Sequence, residues 1–259
     1  MTLTEAIHIR KSVRTYTGAP LTDVHRAIIE KAISDASDPF GGLVDMKICD
    51  FELRGPQKPG TYGTISGAST YLLTAFGDNE NDALSAGFRM EHVILAATQA
   101  GISTCWIAGT LKASDFDRKV IWSNGVALRV ISPLGYAAGT QSVRARLTRF
   151  IAGSSRRKTF ESLFFEADPQ TPLSSDNKYA APLALMRLAP SSVNCQPWRA
   201  IVSADGSVHF YDAGRKALNS IDMGIGMYHF FIGMGRKGSF VSCAHPDVAS
   251  WRYVTSFRQ

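Results

Sequence analysis

Leu188-Ala189-Pro190-Ser191-Ser192-Val193-Asn194-Cys195-Gln196-Pro197-Trp198 ends one kind of local structure and starts another. Ala180 to Leu188 before it reads as a helix, and Arg199-Ala200-Ile201-Val202 after it reads as a strand. Pro190 disfavours helical backbone at Ala189, and Pro197 does the same at Gln196. Between the prolines stand two hydroxyls, a primary amide and backbone N–H groups, a set that can hold a polar ligand edge. The same residues would also make an ordinary helix-to-strand loop around a packed Trp198, so the stretch alone leaves its role open.

Far upstream, Arg10-Lys11-Ser12-Val13-Arg14-Thr15-Tyr16 follows a short helix expected to be N-capped by Thr4. In an extended segment Arg10, Ser12 and Arg14 share one face, and two guanidiniums with a hydroxyl could grip a phosphate or carbonyl oxygens. A solvated basic helix end is the alternative.

Together the two stretches resemble the FMN-dependent nitroreductase family, whose elbow has the form A-P-S-x-x-N-x-Q-P-W and whose opening turn has the form R-[RHK]-S-x-R. A third match is Gly101-Ile102-Ser103-Thr104-Cys105-Trp106-Ile107-Ala108-Gly109, which is similar to the family segment running beside the flavin ring. The resemblance implies that Arg10, Lys11, Ser12 and Arg14 hold the cofactor from the opening turn. It places Ala108 and Gly109 close to the ring, with a backbone N–H toward its redox-active N5 position. Pro190, Ser191, Ser192 and Asn194 would contact FMN from the elbow. Arg156 and Arg157, in Arg156-Arg157-Lys158-Thr159-Phe160-Glu161, resemble the family's late cation for the FMN phosphate. Arg144, Arg146 and Arg149 precede them.

The order of parts is unusual. Family members carry the elbow after the helix that corresponds here to Leu21 through Ala36, where this chain has Ser37-Asp38-Pro39-Phe40-Gly41-Gly42 instead. The elbow comes late, inside a stretch that reads as a shortened second copy. The resemblance therefore implies an α+β, nitroreductase-like fold in which sheets are flanked by helices and two fused lobes form an intrachain pseudo-dimer. Residues 1–155 would be the first lobe and residues 156–259 the second, with one complete FMN site and one decayed. The apolar helices expected at Phe88 to Thr98 and at Asn219 to Gly235 should pack against each other. His92 reads as a satisfied core or interface histidine, and Cys105 as packing.

The chain's 259 residues, 45% hydrophobic, suffice for one large domain or two small lobes. Four widely spaced cysteines signal neither a zinc site nor a disulfide framework, and no secretory signal opens the chain, so a cytoplasmic location is expected. A net charge of +6 suits an anionic cofactor. No aromatic-basic motif points to nucleic acid, and no membrane span is expected. The function implied is electron transfer from NADH or NADPH, through FMN, to a small electron-poor acceptor such as a nitroaromatic or quinone, with no metal and no acid-base residue required. A flavin-binding protein without turnover, for storage or sensing, is the alternative. The expected state is a monomer, with further oligomerisation left open.

Overall fold

Thr70–Phe76 is buried along its whole length, and its side chains divide by the two-residue period of a strand. Leu72 and Phe76 join the main core, while Tyr71 and Leu73 join a smaller cluster with Phe51 and Phe116 on the other face. In a computed structural model, which describes residues 1–53, 59–139, 156–214 and 219–259, this strand is β2 of a four-stranded sheet. Its neighbours are β1 (Val44–Asp50) and β4 (Ala127–Gly135), and β3 (Ser103–Thr104) lies beyond β4. All pairings in the sheet are antiparallel.

The second sheet repeats the pattern. Its strands are β5 (Phe164–Glu166), β6 (Trp198–Val202), β7 (Val208–Asp212), β8 (Ser239–Val241) and β9 (Arg252–Arg258), in the order β5-β6-β7-β9-β8. Without the added edge strand β5, which runs parallel to β6, the order β6-β7-β9-β8 matches β1-β2-β4-β3. The hairpin β6–β7 turns across Ala204-Asp205-Gly206, and the C-terminal segment supplies β9. The family-like α+β architecture expected from the sequence is present.

Helices join the sheets. Among the described residues they are α1 (Leu3–Ile9), α2 (Asp23–Asp35), α3 (Glu80–Gln99), α4 (Ala113–Asp117), α5 (Ala180–Arg187) and α6 (Asn219–Gly233). The cap of α1 is Thr2 rather than the expected Thr4. Thr2 Oγ1 accepts from Glu5 N at 3.1 Å and Glu5 Oε2 accepts from Thr2 N at 2.8 Å, so a capping box satisfies two donors at once. Helix α3 begins at Glu80, earlier than the apolar run at Phe88, because Asn79 and Asp82 form the same reciprocal cap. The C-terminal limit of α6 is Gly233.

Helices α3 and α6 pack as expected, with close backbone approach at Gly87 and Gly224. Side chains then bond reciprocally: His92 Nδ1 lies 2.6 Å from Tyr228 Oη, and His229 Nε2 lies 2.8 Å from Glu91 Oε1. One continuous core includes Leu72, Phe88 and Leu95 from the first half and Trp198, Phe210 and Phe230 from the second. His92 is the satisfied histidine expected, and burial lowers its pKa. Cys105 is buried, and burial pushes its thiol up.

Candidate functional site

The basic turn is held against β3, the strand that leads into residues 105–109. Ser12 forms a parallel bridge with Thr104, and Val13 N donates to Thr104 O at 2.9 Å. The extended backbone puts Arg10, Ser12 and Arg14 on one cleft, beside Trp106, Ile107, Ala108, Gly109 and Thr110. Lys11, between them, is exposed and does not line it. That is the period-two consequence: a chain that turns residues 10, 12 and 14 inward turns residue 11 outward.

The elbow forms the facing wall. Helix α5 ends at Arg187, and a 3-10 turn covers Ser192–Asn194 before β6 starts. Three residues here other than glycine have positive φ: Val193 at 44°, Asn194 at 57° and Gln196 at 48°. This conformation is costly for a β-branched Val, so surrounding bonds must impose it. Ser191 Oγ accepts from Gln196 N at 3.0 Å, and both Asp222 carboxylate oxygens lie 3.0 Å from Ser192 N. Cys195 Sγ is 3.3 Å from Asp222 Oδ2. The residues 156–158 form a strap: Arg157 donates from Nη1 to Asn194 Oδ1 at 3.0 Å and from Nη2 to Leu188 O at 3.1 Å, while Lys158 N donates to Gln196 Oε1 at 2.9 Å.

The resulting cleft has a volume of about 310 Å³. Of the residues singled out in the sequence, Arg10, Ser12, Arg14, Ala108, Gly109, Arg157, Pro190, Ser191, Ser192 and Asn194 line it. Lys11 and Arg156 do not. Arg156 is exposed, and its contribution is a carbonyl that accepts from Asn194 Nδ2 at 2.6 Å. Asn194 faces the cleft with its amide engaged on both sides by the strap. Arg144, Arg146 and Arg149 lie outside the described residues.

The cleft is cationic. Burial, with Arg10 and Arg187 nearby, lowers the pKa of Arg157, though a guanidinium stays charged at neutral pH. Arg10 Nη1 is buried and has no hydrogen-bond partner among the described residues. An unmatched buried N–H of a guanidinium calls for an acceptor, and an anionic oxygen answers best.

Several lining residues were missed in the sequence. Asp222 sits in the first turn of an otherwise apolar helix, and that placement was the available signal. Ile221 and Ile225 face the cleft from the same helix, with Trp106, Ile107 and Val130 from the first sheet's side. A second cleft is lined by Ser37, Asp38, Pro39, Phe88, Phe231, Gly238, Ser239 and Phe240. Phe88 follows Gly87 as Ile225 follows Gly224, so matching helix positions line the two clefts. Around the second, Phe88 and Phe240 are in ring contact with each other and each with both Phe40 and Phe231.

Two sheets of this order around a paired-helix core, with a cationic cleft where their segments meet, define a nitroreductase-like protein. The chain belongs to the family described as Putative TM nitroreductase, which matches residues 2–234. A putative nitroreductase from Thermotoga maritima superposes with a TM-score of 0.59 at 17% identity, covering 99% of this chain and 92% of that one. A putative nitroreductase in complex with FMN from Desulfovibrio desulfuricans is 18% identical and covers 56% of this chain and 94% of its own, with a TM-score of 0.43. A nitroreductase with bound FMN from Desulfitobacterium hafniense is 20% identical over 54% and 92%, also at 0.43. No curated protein matches the sequence. No helix among the described residues is long and apolar enough to cross a membrane.

Proposed function

We propose that this protein is an FMN-dependent oxidoreductase that takes electrons from NADH or NADPH and passes them to a small electron-poor acceptor such as a nitroaromatic or quinone. The observation that carries the reading is convergence. Arg10, Ser12, Arg14 and residues 106–110 come from one half of the chain, Arg157 and residues 190–194 from the other, and all line one cleft. The buried Arg10 Nη1, which has no hydrogen-bond partner among the described residues, is what an anionic group would satisfy.

Bound FMN would supply the hydride and electron chemistry. The chain's own residues hold and orient it. Arg10, Arg14 and Arg157 neutralise phosphate or the electron-rich ring edge, and Ser12, Ser191 and the Ser192–Asn194 turn offer hydrogen bonds to polar edges. The Ala108–Gly109 backbone, unencumbered at Gly109 where a side chain would meet nothing within 4 Å, lets a flat ring come close. Ile107, Val130, Ile221 and Ile225 exclude water from the ring face.

In this reading residues 1–155 and 156–259 are two lobes of an intrachain pseudo-dimer, and a monomer completes one site. The repeated strand order and the reciprocal α3–α6 bonds support it. The second cleft is the decayed site: phenylalanine rings and Asp38, with no arginine among its described lining residues, stand where the first cleft has its cations. A cytoplasmic location is part of the proposal, and no disulfide joins the four cysteines.

The test is spectroscopic. Purified protein should be yellow and release FMN on denaturation, and anaerobic NADH or NADPH should bleach it until a quinone restores the colour. A preparation that stays colourless after incubation with FMN overturns the assignment. An oxidised spectrum that persists under both nucleotides would favour a flavin carrier without turnover.

A further inference from the structure

Glu91 is fully buried, and both its carboxylate oxygens are used. Oε2 accepts from Trp106 Nε1 at 2.8 Å, and Oε1 faces His229 Nε2 at 2.8 Å. The other ring nitrogen, His229 Nδ1, lies 3.1 Å from Leu185 O. A carbonyl can only accept, so Nδ1 carries hydrogen, and the Glu91–His229 contact holds one further hydrogen between carboxylate and ring. The chain of contacts starts at a wall of the cleft, Trp106, passes through α3 and α6, and ends in the last turn of α5, the helix that carries the elbow.

The reciprocal contact shows that joining the helices does not require a carboxylate. His92 meets Tyr228 where His229 meets Glu91, and Tyr228 follows Gly224 by the same interval as Glu91 follows Gly87. A phenol suffices on that side. A buried carboxylate is expensive to desolvate, and the extra partner it gains is Trp106.

We propose that Glu91 is a positioning residue: it fixes Trp106 as a wall of the cofactor cleft and ties that wall, through His229, to the elbow helix on the facing side. Its effect on cofactor binding rests on the flavin reading above; its hold on Trp106 does not. Glutamine at position 91 can keep both bonds, with its carbonyl accepting from Trp106 and its amide donating to a neutral His229 Nε2. Leucine keeps the approximate volume and makes neither.

The experiment uses the full chain labelled with 5-fluorotryptophan and stripped of cofactor, its four tryptophan signals assigned by substitution, with Trp106→Phe marking the one in question. The Trp106 fluorine signal should be unmoved in Glu91→Gln and shifted or broadened in Glu91→Leu. FMN titration should show Glu91→Leu weakened about tenfold, the scale of one lost buried hydrogen bond to a charged group, with Glu91→Gln near wild type. Trp106→Phe should weaken binding similarly, and the double variant Glu91→Leu/Trp106→Phe should be no worse than Glu91→Leu alone, since the Trp106–Glu91 bond is already gone there. If Glu91→Leu does not fold, Glu91→Leu/His229→Leu removes both buried polar groups and carries the same expectations. An unmoved Trp106 signal in the leucine variant, or a moved one with FMN affinity unchanged, overturns the proposal. A chain that binds no FMN at all overturns the flavin reading instead, and the fluorine comparison still decides whether Glu91 positions Trp106.

Discussion

Gly87 and Gly224 face each other across the two central helices at backbone contact. A Cβ on Gly87 would lie 2.1 Å from Ile221 O, and one on Gly224 would lie 2.2 Å from Leu84 O. Neither carbonyl can move aside without breaking a helix. In an exposed helix a Gly-to-Ala change would stabilise by about 1 kcal/mol through propensity alone. Here Gly87→Ala and Gly224→Ala should each destabilise by about 3 kcal/mol, the upper end of ordinary overpacking. Urea denaturation checks this, and an unchanged or raised midpoint in either variant would refute the close crossing.

Val193, at φ 44° and ψ 28°, is exposed on the elbow and holds a backbone conformation that suits asparagine better than a β-branched residue. Val193→Asn should raise stability by about 1 kcal/mol by relieving that strain. Loss of stability on thermal unfolding would mean the turn is not strained at this position.

Asp222 receives the Ser192 N–H and contacts Cys195. Asp222→Ala leaves that donor without its carboxylate and should cost about 1–3 kcal/mol of stability. It should also weaken FMN binding, because the elbow is then free to relax. Calorimetric titration of FMN into the variant reads the second effect; wild-type affinity would show that the elbow keeps its shape without the carboxylate.

Burial lowers the pKa of His92, with the Arg236 charge adding to it. A folded-state pKa below the unfolded one means that the unfolded chain takes up the proton first as pH falls. The stability linked to His92 is therefore fully present above its unfolded value, near the ordinary histidine range, and is lost as pH drops through the folded value. The urea midpoint should fall as pH drops below about 6.5, and less steeply in His92→Gln. Equal slopes in the two proteins would assign the loss to other groups.

The intrachain site predicts a particular failure of complementation. Arg14→Ala and Asn194→Ala should each weaken FMN binding by about 1–3 kcal/mol. Mixed together, they should not rebuild a tight site, because both residues come from one chain. Tight binding that appears on mixing and scales with dimer formation would mean that the cleft is shared between molecules.

Much of the fold was legible because it depends on near neighbours. The elbow's two prolines, the strand that follows them and the apolar runs inside α3 and α6 follow from local conformational limits and from helical or alternating periodicity. One helix start was less legible: Thr2 rather than Thr4 caps α1 because it finds a carboxylate three residues on, a reciprocal bond that composition does not rank. The alternation of Arg10, Ser12 and Arg14 was visible in the sequence, and the same alternation explains why Lys11 points away.

That the opening turn, Arg157 and the elbow meet was implied by the resemblance; how they meet, and that Trp106 and Asp222 join them, only the tertiary structure decided. Arg10 and Arg157, or Trp106 and Asp222, share a cleft because α3 and α6 cross at two glycines and bring the halves' loops to the same place. No periodicity within either half encodes that crossing. The link from Glu91 to both Trp106 and His229 was equally hidden, since a lone acid in an apolar run gives no sign of its partners until the helix faces are fixed. The physical reason is range: backbone preference and side-chain period act over a few residues, whereas burial selects contacts between segments far apart in the chain, and only the packed core determines which of them touch.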